Sequence, residues 1–527
     1  MHAVHHLLLG LAVNPSLPSH LIDRFLAYED VCLEPLDCEL AQTLGDRSDL
    51  SREQAKRLVS AHEDCATVSM SPAVRVLTEA DVDPVRWPLV ALALLEEGAG
   101  NPSWARHLAE VPEYRLRESL AALPGLPDDV TGTLAADPDV RVVAELALWT
   151  TSTTTATRLA RHPHAEVRGA LALNPLTPPP VLAALITGEG LPPVRHCPVC
   201  DQEPVPYTRA SGSERPGCEP RSGAACDGSH RSTLHELLVR VLENRATPTG
   251  AALAFADDGR ESVRRALATR HDLPATAYEL LARDPSHLVR YELAGNPAIC
   301  EAAVRVLAVD LSPEVRRTVA HHPRLPLDVL TALTGTVRTG PVLLPRIAEA
   351  PPAEIALLAA SPDPAVRALV AERHDLPEAI RDRLAADPDA KVAKAVAPHP
   401  GLPEAALRAM TTRFGAQVAG RVAENPDAPP AFLEELALRT PPVRKVLRAV
   451  AARPDATPAS LVACLADSRV RITAARHPSL PPDVLTGLLD HADHDLASAA
   501  AANPALPVGE MTRLLPPPVL PRLRATT

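Results

Sequence analysis

HPRLPLDVLTAL, residues 322–333, decides the fold. The frame returns as HPGLPEAALRAM (399–410), HPSLPPDVLTGL (477–488) and NPALPVGEMTRL (503–514). Each unit begins His-Pro or Asn-Pro and continues x-Leu-Pro. It then enters a short run with apolar residues at helical spacing, as in Leu325, Val329, Leu330 and Leu333. A second stretch, such as DPAVRALVAERH (363–374), precedes the next unit. The second proline of the frame is a ruler. It falls at Pro248, Pro274, Pro326, Pro377, Pro403, Pro429, Pro458, Pro481 and Pro507, with Cys300 and roughly Ala353 in the same place. The steps average about 26 residues, a period that belongs to stacked repeats. Pro18, Pro127 and Pro178 extend the ruler upstream, with a degenerate unit near Ser152.

The physics of the unit is legible. Proline suits the first helical turn, where its missing N–H costs nothing. Asp328, Glu378, Glu404 and Asp483 follow it, at the positive end of the helix dipole. Helices this short are marginal alone and need neighbours to stack on. Composition agrees: hydrophobic residues are 46% of the 527 but aromatics only 2%, which suits many thin aliphatic layers. The 57 prolines sit among aliphatics as helix punctuation.

The unit N/H-P-x-L-P-x-x-V-L-x-x-L-x-x-D-P-x-x-V-R resembles the leucine-rich repeat variant family, a HEAT-like group. The resemblance covers about four-fifths of the chain. It implies an α-helix alternating with a short 3₁₀ or α-helix in a right-handed superhelix. The expected fold is therefore an all-α, right-handed α-solenoid of about 17 repeats of ~26 residues. Residues 1–100 read as divergent repeats or a cap, 101–187 as repeats, 188–231 as an insertion, 232–515 as repeats and 516–527 as a Pro-rich tail.

The insertion follows from the ruler. From Pro178 to Pro248 is 70 residues, where one step needs about 26. The extra residues, 188–231, are rich in Gly, Pro and Ser and hold Cys197, Cys200, Cys218 and Cys226. A C-x-x-C turn with two further cysteines can close a tetrahedron around zinc. Metal binding would replace the missing hydrophobic core, because its free energy is folding free energy. CDGSH, residues 226–230, is similar to the core of the CDGSH iron–sulfur family. That match implies a [2Fe–2S] cluster with Cys226 and His230 as ligands. The rest departs from the family: residue 216 is Pro, and Cys218 is eight positions before Cys226 rather than nine. The variant-repeat family also has an iron–sulfur member with an amino-terminal cluster. Here Cys32, Cys38 and Cys65 have poor spacing for one and read as ordinary buried thiols.

Two polar positions recur. Ten residues before the ruler comes an arginine: Arg117, Arg168, Arg264, Arg290, Arg316, Arg367, Arg448 and Arg471. The favoured reading is an internal ladder with acids such as Asp363 or Asp467, four residues earlier. The competing reading makes Arg264, Arg290, Arg316 and Arg367 a stripe for phosphates. Four residues before the ruler comes Asn or His: Asn14, Asn174, Asn244, Asn296, His322, His399, Asn425, His477 and Asn503. These residues bond freed backbone groups, which predicts a capping role.

Enzyme motifs are thin. HELLV (235–239) lacks the second His of HExxH, and GTVRTG (335–340) lacks the Lys-Ser/Thr of a P-loop. HADH (491–494) offers two His without a third ligand. The net charge of −12 argues against a general nucleic-acid surface. No apolar run approaches the ~18 residues of a spanning helix. The start, MHAVHHLLLGLAVNP, has no Lys or Arg before its apolar run, unlike a signal peptide. The expectation is a cytoplasmic, non-enzymatic scaffold that binds a protein partner, with no membrane contact. Nucleic-acid binding and an iron–sulfur or redox-sensing role are the alternatives.

Overall fold

The computed structural model describes residues 2–29, 38–62, 65–198, 200 and 230–515. The chain is an all-α solenoid of stacked two-helix repeats. Among the described residues the only extended pairing is an isolated bridge between His164 and His196. Its contacts divide it into two units: Met1–Gly100 together with Pro351–Thr527, and Asn101–Ala350.

The ruler proline does a slightly different job from the one expected. Pro326 stands just outside helix Leu327–Thr334 with φ −60° and ψ 144°. Pro274, Pro377, Pro403, Pro429, Pro481 and Pro507 do the same before their helices. The ring fixes φ near the value needed, and the proline carbonyl accepts the first helical bond, as from Leu330 N to Pro326 O at 2.9 Å. Many helices of the D-P-x-x-V-R stretches are capped by a side chain, though Glu261–Ala268, Arg444–Ala451 and Arg471–Ala475 are not. Asp363 accepts from Ala365 N, Ser312 from Glu314 N and Asp389 from Lys391 N. Both elements of nearly every repeat are α-helical. Among the described residues the 3₁₀ segments are Pro72–Val76 and Glu79–Asp81.

In the Asn101–Ala350 unit, helices Tyr114–Ala121, Val140–Trp149, Ala165–Leu173, Arg231–Glu243, Glu261–Ala268, His287–Ala294 and Pro313–Ala320 stack in that order. The V-R-x-x-V/L spacing puts Val263 and Leu267, Val289 and Leu293, and Val315 and Val319 on the buried face. Each such side chain contributes about 1.5–3 kcal/mol on burial. The layer is thin because Val, Leu and Ala fill it almost unaided.

The row passes the insertion without losing register. Asn244 Nδ2 donates to Ala172 O (2.8 Å) and Asn174 O (2.9 Å), 72 and 70 residues away. Where no insertion intervenes, Asn296 makes the same two bonds to Ala268 O and Arg270 O, 28 and 26 residues away.

In the other unit, helices Pro364–Ala371, Ala390–Val396, Ala416–Ala423 and Arg444–Ala451 follow one another. The row continues through Pro458–Leu465 and Arg471–Ala475 to His494–Ala501. The next layer is the amino-terminal helix, His2–Ala12, which packs on His494–Ala501 and then on Cys38–Gly45.

Candidate metal centre

Three groups converge where the insertion leaves and rejoins the repeats. The Cys197 and Cys200 sulfurs are 3.4 Å apart, and Cys200 Sγ is 3.4 Å from His230 Nδ1. All three ligand atoms lie within 4.8 Å of one another. A tetrahedral zinc with Zn–S near 2.3 Å and Zn–N near 2.0 Å sets such separations at roughly 3.5–4 Å. The donor set therefore fits a metal ion. Of the four cysteines expected to converge, Cys197 and Cys200 stand in this group, together with His230, the alternative ligand. Cys218 and Cys226 lie outside the described residues, as do Cys32 and the side chain of Cys38.

Local structure explains how the three meet. Helix Pro179–Thr187 ends on Gly188 in the left-handed region, φ 71°, where glycine pays no Cβ penalty. The returning limb is then laid along an existing repeat. Arg195 N donates to Pro163 O at 2.9 Å, and Ala165 N donates to His196 O at 2.9 Å. This places Cys197 beside the start of helix Ala165–Leu173, fully buried. The tight turn that follows, with Cys200 N bonded to Cys197 O, brings the second sulfur round. From the far side, His230 precedes helix Arg231–Glu243. Among the described residues it is the sole non-glycine with positive φ, at 54°. Backbone held in that region by a larger side chain marks sites where orientation matters more than local comfort.

Burial pushes the Cys197 thiol up. Hydrogen bonds from His230, Thr233 and Cys200 outweigh that and bring it down to about 6. The lowering favours the thiolate, the form that binds metal.

The insertion also completes the arginine ladder. Arg264 binds Asp284 with Nε and Nη2 (2.6 and 3.1 Å). Arg290 binds Asp310 and Arg367 binds Asp387 in the same way. Arg117 and Asp137 form a fourth such pair. Each acid belongs to the next repeat, 20 residues on. The expected partner four residues back is not used: Asp363 caps its own helix, and Asp467 pairs with Arg444. Arg471 binds Asp493. Burial raises the Asp310 and Asp387 carboxyls, but their arginines hold both below the usual carboxylate range. Three positions lack the acid, among them the exposed Arg448, with Ser468 in its place. Arg316 holds the carbonyls of Asp310 and Leu311. Arg168, with Gly188 where the acid would stand, donates to His162 O (2.7 Å) and to Pro192 O of the insertion (2.8 Å). The guanidiniums of Arg264, Arg290 and Arg367 are thus spent on fastening repeats, with side chains only 13–16% exposed.

The Asn/His positions do more than cap. Each side-chain amide oxygen accepts from the N–H two residues on, as Asn425 does from Asp427 N. The amide nitrogen crosses to the preceding repeat and binds two carbonyls. Histidine binds one, through Nε2: His322 to Asn296 O, His399 to Ala371 O and His477 to Arg453 O. Arginine also takes this position, which sequence reading missed. Arg270 donates to Leu242 O and Asn244 O, Arg453 to Asn425 O, and Arg47 to Ala12 O and Asn14 O. A signal was present: an aspartate two residues later, at Asp272, Asp455 and Asp49, accepts the rest of each guanidinium.

Other singled-out residues have plain roles. His235 of HELLV shares a 2.8 Å hydrogen bond with Ser262. His491 accepts from Asp493 N, while His494 stacks on His6 with ring centroids 4.1 Å apart, so the HADH pair does not converge. Cys65, expected to be buried, is half-buried and bonded to Thr67. No described helix is long and apolar enough to cross a membrane.

The chain matches no family model and no curated protein. Among solved structures, one described as the crystal structure of an engineered protein is similar over 93% of this chain and 99% of its own, at 14% identity and a TM-score of 0.13.

Proposed function

We propose that this protein is a non-enzymatic scaffold, built of repeats of the leucine-rich repeat variant kind, that binds a protein partner on its solenoid surface. A structural zinc held by Cys197, Cys200 and His230 pins the insertion to the array. The observation that carries the scaffold reading is a pair of exposed apolar side chains at equivalent points of adjacent repeats. Trp149 and Leu173 end the stacked helices Val140–Trp149 and Ala165–Leu173 and are 52% and 47% exposed. Large apolar groups repeated on one face of stacked layers suit an apolar anchor on a partner. The polar positions that could have served nucleic acid are largely consumed within the array. Replacing Trp149 and Leu173 by Glu is expected to weaken capture of the partner at least tenfold without changing helicity. Unchanged capture would refute the assignment of this face.

For the metal, the [2Fe–2S] alternative is supported by His230 standing in the centre, as the CDGSH resemblance implies. Zinc is favoured because a C-x-x-C pair, with Cys197 buried and Cys200 exposed, joined by one imidazole is a donor set of the zinc kind, and a further ligand would close the tetrahedron. Elemental analysis with a visible spectrum of anaerobically purified protein separates them. One zinc per chain and no visible absorption is expected, and iron with sulfide would overturn it.

A further inference from the structure

The amino-terminal repeat sits where a further carboxy-terminal repeat would be. Asn503 Nδ2 donates to Ala475 O and His477 O at 2.7 and 2.8 Å. Asn14 Nδ2 makes the corresponding pair to Ala501 O and Asn503 O at 2.9 and 2.7 Å. Arg47 then reads Ala12 O and Asn14 O, so the ladder runs on through the start of the chain. The two helices touch closely. A Cβ on Gly10 would collide with the Ser498 carbonyl and crowd the Ala501 methyl. Leu7, Leu8 and Leu11 are buried, His6 stacks on His494, and Arg24 donates to Leu515 O at 3.2 Å.

We propose that the end face formed by helix His494–Ala501 and the Ala501 and Asn503 carbonyls is a docking site for the amino-terminal repeat of this protein. The chain's own residues 2–29 fill it at rest, and those of a second copy fill it when they are displaced. The occupant is specified by what is seated there: a helix with glycine at the crossing and an asparagine two positions past its end. The two surfaces differ, so exchange between copies is head to tail. Covalent attachment gives the chain's own segment a high effective concentration and makes the closed single chain the resting form.

Two full-length variants test this. Gly10→Leu spoils the docking helix and leaves the face; Ala501→Phe spoils the face and leaves the helix. Alone, each should sediment at the mass of one chain. Mixed, they should give a species of twice that mass, because one supplies the helix and the other the face, and association then stops. No association in the mixture overturns the proposal. So does self-association of either variant alone, since that reports nonspecific sticking of the opened face. Far-UV circular dichroism checks folding. Asn14→Leu replaces Gly10→Leu if helicity is lost, with the same outcomes required.

Discussion

At the scale of single residues, the ladder position shows how one physical demand admits several side chains. The carbonyls at the end of each repeat are buried and need donors, because a buried polar group without a partner costs about 1–3 kcal/mol. An amide meets two of them, an imidazole one, and a guanidinium two or more. Replacing Asn425 by Ala is therefore expected to cost about 2–4 kcal/mol, since Ala397 O and His399 O lose their donor together. Asn425→His should cost clearly less. Shifts in denaturation midpoint check both. His399 adds a pH dependence. Its ring is fully buried and stacked on His374, and burial pushes it down to about 4. The folded state thus prefers the neutral ring, while the unfolded chain takes up a proton near 6.5. This contribution to stability is flat above that value and falls as pH drops from about 6.5 towards 4, by roughly 3 kcal/mol in all. In His399→Asn the amide donates without titrating, and that part of the slope should vanish from pH-dependent melting. An unchanged slope would assign it elsewhere.

At the scale of elements, the insertion is fastened at three kinds of point: backbone pairing at Pro163 and Ala165, the Arg168 bond to Pro192 O, and the Cys197–Cys200–His230 group. The first two can form without metal, but the last brings two cysteine sulfurs and an imidazole within 4.8 Å of one another, which a bound metal would hold together. Removing the metal with a chelator, or replacing Cys200 by Ser, should speed amide exchange at Ala165 and in the first turn of helix Arg231–Glu243. Total helicity should change little, because each repeat contacts only its neighbours. Loss of protection throughout the Asn101–Ala350 unit would mean instead that the metal holds the array itself. Exchange that is the same with and without metal would leave the site no structural role.

At the scale of the whole molecule, chain order and spatial order differ within the unit that holds both ends of the sequence. If residues 516–527 were removed and Leu515 joined directly to Met1, Asn14 would follow Asn503 by 26 positions. That is the spacing between Asn425 and His399, whose carbonyl it binds. A circular permutant made in this way, opened at the exposed Gly340, should keep its helicity and melt within about 5 °C of the parent. A much larger drop would show that the joined ends are strained and that the apparent register is accidental.

The repeat, its period and the all-α class are legible in the sequence because each rests on local chemistry. Proline spacing, apolar periodicity and cysteine content act within about one repeat length. Tertiary structure alone decides what crosses between layers. The sequence places an arginine in each repeat but cannot say that its acid lies 20 residues ahead rather than four behind. It offers four cysteines and, through the CDGSH resemblance, His230, but only the fold shows His230 meeting Cys197 and Cys200, from a left-handed backbone conformation. It gives the first repeat no visible neighbour, and stacking seats that repeat on the last. The reason is common to all three. A repeat exposes the same donors, carbonyls and apolar face to any similar neighbour, so its own residues specify what kind of partner it takes, and only the packed array specifies which one.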